Sequence, residues 1–306
     1  MPLHRSLVLL LSAGRILSAQ AVPQLDSARL IANLSTLAAD SMEGRRIGTP
    51  GGARARAFLL REFTRIGLAP AKDSFPAPFV AKGRAGEVSG VNVVGMLRGT
   101  KHADRYLVVS AHYDHLGVRN GVIYNGADDN ASGTAAVLAM AQWFKAHPPE
   151  NSIIFALFDG EESGLLGAKA FLETPPVPLE RIVADVNLDM VSRNEKGELY
   201  ASGASPYPVM KPLLDSIAKI APVKLILGHD TGAGQDNWIQ QSDQGPFHTK
   251  KIPFVYFGVE DHPDYHKPGD KVGHIEPGFY YRCAQTIAEF VRRLDRGLDR
   301  VAAVPR

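Results

Sequence analysis

The feature that most constrains this chain is an alternation of short, β-branched apolar runs with longer segments of helical periodicity. Two of the runs are nearly all apolar, as expected of strands that are covered on both faces. The alternation predicts an α/β fold, a three-layer sandwich in which a mostly parallel, mixed central sheet has helices on both faces. The predicted strands are Val91–Leu97, Tyr106–Ala111, Ser152–Phe158, Ile182–Leu188 and Phe254–Phe257.

Helical patterns fill the segments around these strands. One helix is predicted at Asp26–Ala39, and a second begins at Pro50 after the N-cap Thr49 and ends at Gly67. No Pro/Ser-rich linker interrupts the series, so residues 22–306 are expected to form a single domain. The later helices are predicted at Ser132–His147, Ser163–Leu172, Pro208–Ile220 and over the stretch from Cys283 to Leu298.

The first 21 residues have the pattern of a secretory signal peptide. A basic start at Met1–Arg5 precedes an apolar run at Ser6–Gly14, and Ala19–Ala21 fits a small-x-small cleavage site. Arg15 shortens the apolar run, and a buried N-terminal helix is the alternative interpretation. With residues 1–21 cleaved, the protein is expected to be exported, either to the periplasm or to the medium.

Composition excludes several classes of protein. The single cysteine, Cys283, leaves no possibility of an internal disulfide framework or a Cys-rich metal site. A formal charge of +2 gives no electrostatic basis for binding nucleic acid. No segment reaches the roughly 20 apolar residues that a membrane span requires. The sequence does not specify an oligomeric state.

Acids and histidines follow four of the predicted strands, where each strand ends. Since ligands of such sheets bind beyond the carboxyl ends of the strands, these side chains are expected to converge. Each has an ordinary explanation when taken alone, such as capping of the next helix by the acids. Clustered carboxylates, however, repel one another unless cations neutralise them. The set comprises His112, Asp114, Asp128, Asp129, Glu161, Glu162, Asp189 and His266.

The donor atoms of this set restrict the choice of metal. Imidazole nitrogen and carboxylate oxygen without thiolate suit zinc, with cobalt or manganese possible. The all-oxygen shell that calcium and magnesium prefer is lacking. Five metal-ligating residues are too many for a single tetrahedral zinc that keeps an open position for catalysis. They fit two ions about 3.5–4 Å apart that share one carboxylate.

Five motifs resemble the di-zinc aminopeptidases of metallopeptidase family twenty-eight. They are AHYDHLG, NGADDNASGTAA, FDGEESGLLGAKAF, NLDM and DYHKPGD, in the family's order. The similarity extends from Asp40 to the C-terminus, since DSMEGRRIGTPGG is also similar to the family. Glutamate carboxypeptidase II, transferrin receptor and glutaminyl cyclase are further members. The segment between Phe79 and Val91 is too short for the protease-associated insertion that many members carry.

The resemblance implies a ligand set for two zinc ions. His112 and Asp189 match the ligands of one ion, and Glu162 and His266 match those of the other. Asp128 matches the carboxylate that bridges both ions, and the Asp128–Asp129 peptide is expected to be cis, as in relatives.

The resemblance also implies the catalytic residues. Glu161 matches the general base beside the bridging water, and Asp114 matches the acid that orients His112. Tyr265 is similar to a tyrosine that polarises the oxyanion in some members. The loop 228–241 matches no motif and is expected to form a pocket wall.

The resemblance implies a metal-dependent exopeptidase that hydrolyses N-terminal residues from peptides with a free N-terminus. A carboxypeptidase, a dipeptidase or a glutaminyl cyclase on the same fold is an alternative. A non-catalytic binding module is an alternative of another class. A dinuclear phosphoesterase would use similar residue types, but the order of the motifs argues against it.

Overall fold

The structure is a computed structural model that describes residues 22–83, 86–232 and 234–304. The signal peptide that we expect at residues 1–21 lies outside the described residues. Within the described ranges, no helix has both the length and the apolar character needed to cross a membrane.

Within the described residues, nine strands form one sheet, and two short strands form a separate hairpin. In chain order they are β1 (Ala69–Pro70), β2 (Pro76–Gly83), β3 (Gly86–Leu97), β4 (His102–His112), β5 (Gly117–Arg119), β6 (Val122–Tyr124), β7 (Asn151–Phe158), β8 (Ile182–Leu188), β9 (Glu198–Ser202), β10 (Lys224–Leu227) and β11 (Phe254–Gly258).

The centre of the large sheet is parallel and its flanks are mixed. Strand order is β1-β3-β7-β4-β8-β11-β9-β10, with β2 paired to β3 beside this path. Strands β7, β4, β8 and β11 run parallel to one another. Strands β3 and β9 join this centre antiparallel. The predicted fold class is confirmed, and the four central strands end at the same edge of the sheet.

In the part of the chain that the structure describes, eight α-helices accompany the sheet. They are α1 (Ser27–Leu37), α2 (Pro50–Ile66), α3 (Gly133–Ala146), α4 (Leu166–Glu173), α5 (Lys211–Ala218), α6 (Gln244–Thr249), α7 (Pro277–Arg296) and α8 (Leu298–Ala302). The predicted start of α2 is present in detail, because the Thr49 hydroxyl accepts a hydrogen bond from the Gly52 amide. Gly67 ends the helix in the left-handed conformation that its missing Cβ permits.

Two apolar clusters, one on each face of the sheet, form the core. Alternate residues of the central strands divide between them, as the two-residue period of a strand requires. Leu107 and Phe155 pack with α1, α2, α3, α5 and α7. Val108 and Ile154 pack with α4 and α6 on the opposite face. Helices therefore cover both faces, and the polar ends of the strands remain at the edge.

One predicted helix begins later than expected, and the difference bears on the site. Helix α4 starts at Leu166 rather than Ser163. The preceding residues form a turn in which the Gly164 and Leu165 amides donate to the Glu161 carbonyl. Glu161 and Glu162 thus lie in a tight turn after β7 rather than in the first turn of a helix.

Candidate metal centre

Two groups of metal-ligating side chains lie at the carboxyl edge of the central strands, and one aspartate belongs to both. The first group consists of His112, Asp129 and Asp189, and the second contains His115, Asp129 and Glu162. His112 ends β4, Asp189 follows β8, and Glu162 follows β7. The parallel centre of the sheet therefore brings together residues that are far apart in the sequence.

His112 is the centre of the first group. Its Nε2 lies 3.2 Å from Asp189 Oδ1 and 3.5 Å from Asp129 Oδ1. Its other nitrogen, Nδ1, lies 3.1 Å from the Asp114 carbonyl oxygen and 3.7 Å from the Asp114 carboxylate. An Nδ1–H that donates to this carbonyl leaves the Nε2 lone pair available for a cation that the two acids also contact.

Asp114 also connects His112 with Glu161. Its Oδ1 accepts a hydrogen bond of 3.0 Å from the Glu161 amide. The same residue therefore fixes the ring of His112 through its backbone and the turn at Glu161 through its side chain.

His266 belongs with the second group. Its Nε2 lies 3.1 Å from Asp129 Oδ2 and 3.2 Å from Glu162 Oε2. Burial opposes protonation of this ring, but the two carboxylates raise the pKa of His266 to about 10. Burial likewise disfavours ionisation of Glu162, yet His115 and His266 hold the pKa of its carboxyl well below the ordinary value. The group therefore attracts positive charge, and a cation could take the place of the protons.

Asp128 does not lie between the two groups, which corrects the bridging assignment. Its Oδ1 accepts hydrogen bonds from the Ser192 amide and hydroxyl, at 2.7 and 2.8 Å. Its Oδ2 faces His262 Nε2 at 3.3 Å. Because the side chains of two adjacent residues leave this backbone in different directions, only Asp129 faces both groups. The cis peptide is correspondingly one residue later, between Asp129 and Asn130.

Two buried side chains, the carboxylate of Asp270 and the guanidinium of Arg45, hold the loop that carries Asp129. The Asp270 carboxylate accepts hydrogen bonds from the Asp128 and Asp129 amides, at 2.9 and 3.0 Å. The guanidinium of Arg45, which is fully buried, donates to the carbonyls of Asn125 and Gly126 at 2.6 and 2.8 Å. Amides and carbonyls of the loop are therefore both fastened to side chains distant in the sequence.

Glu161 lines the cavity beside the two groups. Loss of hydration in the pocket, partly offset by His112, raises the pKa of the Glu161 carboxyl well above its ordinary value. A carboxylate with a raised pKa is a stronger base, which suits a group that accepts a proton from water.

A cavity of about 490 Å³ opens over both groups. Glu161, Glu162, Asp129 and Asp189 line its floor, and His266 lies at its side. Met190, Trp238, Tyr256, Val259 and Tyr265 add apolar and aromatic surface to its walls.

Tyr265 and the loop 228–241 both contribute to this cavity. The ring of Tyr265 lines it and stacks on His266, with ring centroids 4.0 Å apart. In the loop, Trp238 lines the cavity and stacks on His229, with centroids 3.7 Å apart. The described part of the loop thus provides a wall and keeps the indole in place.

Several polar atoms of the second group make no hydrogen bond within the described part of the chain. They are Asp129 Oδ2, Glu162 Oε1 and both ring nitrogens of His115. Buried polar atoms are nearly always paired, so a cluster of unpaired ones fits a bound cation. His115 was not among the predicted site residues. The signal was present in the motif AHYDHLG, where a second histidine follows three residues after His112.

Comparison with solved structures shows the class of fold. A Zn-dependent exopeptidase from Parabacteroides distasonis matches with a TM-score of 0.73 at 17% identity, covering 89% of this chain and 99% of that one. A zinc aminopeptidase from Bacillus subtilis matches with 0.71 at 17% identity, over 89% and 96%. A glutaminyl cyclase from Porphyromonas gingivalis matches with 0.74 at 17% identity, over 88% and 98%. The fold is that of the zinc exopeptidases.

The family follows from the sequence itself. The model of peptidase family M28 matches residues 92–291, and the chain belongs to this family. Aminopeptidase YwaD from Bacillus subtilis is 34% identical over 198 residues, which are 60% of this chain and 40% of the relative. A probable zinc metalloprotease from Pyrenophora tritici-repentis is 38% identical over 115 residues, 36% of this chain and 26% of the relative. The matches therefore span less than half of these relatives. The resemblance inferred from the five motifs is confirmed.

Proposed function

We propose that this protein is a zinc metallo-aminopeptidase that releases N-terminal residues from peptides. The acidic character of the cavity carries the proposal. Five carboxylates line it, those of the four acids on its floor and of Asp261, whereas Lys169 is the one lysine or arginine on its wall in the described chain. Three of these carboxylates, those of Asp129, Glu162 and Asp189, belong to the proposed metal ligands. The carboxylates of Glu161 and Asp261 are therefore the ones that are complementary to the protonated α-amine of a peptide.

We infer that the two groups hold two zinc ions, with cobalt or manganese as substitutes. His112 and Asp189 would hold one ion, Glu162 and His266 the other, and Asp129 would be shared. The unpaired buried atoms and the mixture of imidazole and carboxylate donors support this set. When bound, zinc supplies Lewis-acid polarisation of the scissile carbonyl and lowers the pKa of water.

Glu161 is the general base in this proposal. Its carboxylate accepts the proton of the attacking water and returns it to the nitrogen of the leaving amine. Asp114 keeps the base in place through the Glu161 amide and keeps His112 in one tautomer. In this proposal Tyr265, which lines the cavity, donates a hydrogen bond to the carbonyl oxygen of a bound peptide.

The names of the relatives and the N-terminal pattern support two further parts of the proposal. Among the relatives that match part of this chain are an aminopeptidase, YwaD, and a probable zinc metalloprotease of a fungus. The pattern at residues 1–21 supports export to the periplasm or the medium, where peptides with a free N-terminus are the substrates.

The test compares leucyl p-nitroanilide with its N-acetyl form, with and without a chelator. Turnover of the free amine should exceed that of the blocked form by about 10⁴-fold, because blocking leaves the acids without their charged partner. The chelator should abolish activity, and added zinc should restore it. Cleavage of blocked peptides that requires a free C-terminus would instead indicate a carboxypeptidase.

Two other results would also refute the proposal. Ring closure of an N-terminal glutamine without hydrolysis would indicate a cyclase. Zinc binding without turnover of peptides with any N-terminal residue would indicate a binding module.

A further inference from the structure

His115 has no explanation in the proposed ligand set. The residue is fully buried beside the metal centre, and neither ring nitrogen makes a hydrogen bond within the described residues. Burying an imidazole whose nitrogens make no hydrogen bond is unfavourable, because the lost hydration of these nitrogens is not replaced. A partner outside the protein chain would remove this cost.

The contacts of the ring show where such a partner would lie. His115 Nδ1 lies 2.7 Å from Glu162 Oε1 and 3.6 Å from Asp129 Oδ2. Neither of these two oxygens nor Nδ1 makes a hydrogen bond in the described chain, despite the short distances. Two carboxylate oxygens and one ring nitrogen therefore converge without being aligned as donor and acceptors. A cation that all three contact accounts for this arrangement.

Close packing fixes the ring in this orientation. A Cβ at Gly126 would lie 2.5 Å from Cγ of His115, so only glycine allows the loop to approach the ring. The His266 ring lies 6.0 Å away from the His115 ring, between centroids, beyond the same two carboxylates. The two imidazoles thus approach the second group from different directions.

We propose that His115 Nδ1 is a further ligand of the second metal, in addition to Asp129, Glu162 and His266. This inference rests on the proposed function. It makes the two positions unequal, since four side chains close the second position while His112, Asp129 and Asp189 leave the first one open. Closed four-ligand positions hold zinc structurally, whereas open three-ligand positions leave room for water and substrate.

The deciding measurement is X-ray absorption spectroscopy of the zinc-loaded wild-type protein. Outer-shell scattering from imidazole carbons counts the histidines that ligate zinc. Three imidazoles for each pair of zinc ions are expected, and two would overturn the inference.

A variant provides a second measurement. His115→Ala should lose one of these imidazoles and weaken the tighter class of zinc site by more than about 100-fold in a competitive chelator titration. A residue that only orients a ligand typically changes metal affinity by about 10–100-fold and leaves the imidazole count unchanged. His248→Ala, which removes a partly buried histidine remote from the site, is the matched control and should retain both sites.

The outcomes separate this inference from the proposed function. A wild-type protein that binds no zinc contradicts both. A wild-type protein that binds two zinc ions and hydrolyses leucyl p-nitroanilide, but has two imidazoles for the pair, contradicts only the role of His115.

Discussion

Arg45 offers a test of how the site is supported, because it is a fully buried cation without a salt bridge among the described residues. Its guanidinium donates to the carbonyls of Tyr113 and Leu37, at 2.7 and 2.8 Å, as well as to those of Asn125 and Gly126. Burial lowers the pKa of Arg45 to about 10, while nearby acids oppose this shift, so the group is charged at neutral pH. One side chain thus joins helix α1, the segment after His112 and the loop of Asp129.

The expected loss of stability in Arg45→Met follows from these four hydrogen bonds. The Gly126 carbonyl oxygen also accepts a hydrogen bond from the Ala131 amide at 3.2 Å. The substitution therefore costs this carbonyl less hydrogen bonding than it costs the other three. At about 1–1.5 kcal/mol for each buried carbonyl left unpaired, the free energy of unfolding falls by about 3–5 kcal/mol. For a chain of this size, that loss lowers Tm by about 10 °C.

The assay is thermal unfolding followed by circular dichroism, on metal-free protein, so that zinc binding does not enter the result. Arg45→Lys is the matched control, because it keeps the charge but replaces the planar fork by a single ammonium. It should lose about half as much stability as Arg45→Met. A Tm for Arg45→Met within about 2 °C of wild type, or equal losses for the two variants, would refute the reasoning.

Three further predictions concern the metal centre and its loop. Asp129→Ala should remove both zinc ions, whereas Asp128→Ala should retain at least one. Elemental analysis of both proteins measures their zinc content, and the reverse pattern would show that Asp128 is the bridging acid. Glu161→Gln should lower kcat by at least about 10²–10⁴-fold with metal content unchanged, and retained activity would contradict its role as base. Asp270→Asn should weaken zinc binding by about 10–100-fold, because one oxygen that accepts from the Asp129 loop becomes a donor. A chelator titration equal to wild type would contradict the role of Asp270.

Much of the fold is predictable from the sequence, because the strand and helix patterns are local. The predicted strand Ile182–Leu188 coincides with β8, and the cap residues Thr49 and Gly67 mark the ends of α2. Four strands of the sheet, β1, β2, β9 and β10, are missing from the prediction. Strand β2 contains Pro76 and Pro78, and β10 has only four residues, so neither shows a clear alternation.

Convergence of the polar residues is also predictable, since it follows from the parallel centre of the sheet. Strands β4, β7 and β8 are adjacent, so the residues that follow them must meet at one edge. His115 is harder to recognise, because its sequence position after β4 does not distinguish a ligand from a loop histidine. Its role depends on a glycine in another segment that lets the loop approach the ring.

The different positions of the Asp128 and Asp129 carboxylates are not determined by the local sequence. Both residues offer carboxylate oxygens as possible metal ligands, and both precede helix α3. No local sequence rule therefore identifies which of them is shared by the two groups. The choice is made by residues that lie far away in the chain: Ser192 binds the carboxylate of Asp128, and Asp270 binds the amides of both residues. Because these contacts direct one carboxylate away from the centre, they leave Asp129 as the acid that both groups share. The chemistry of the site therefore depends on a loop conformation that side chains 64 and 142 positions further along the chain impose.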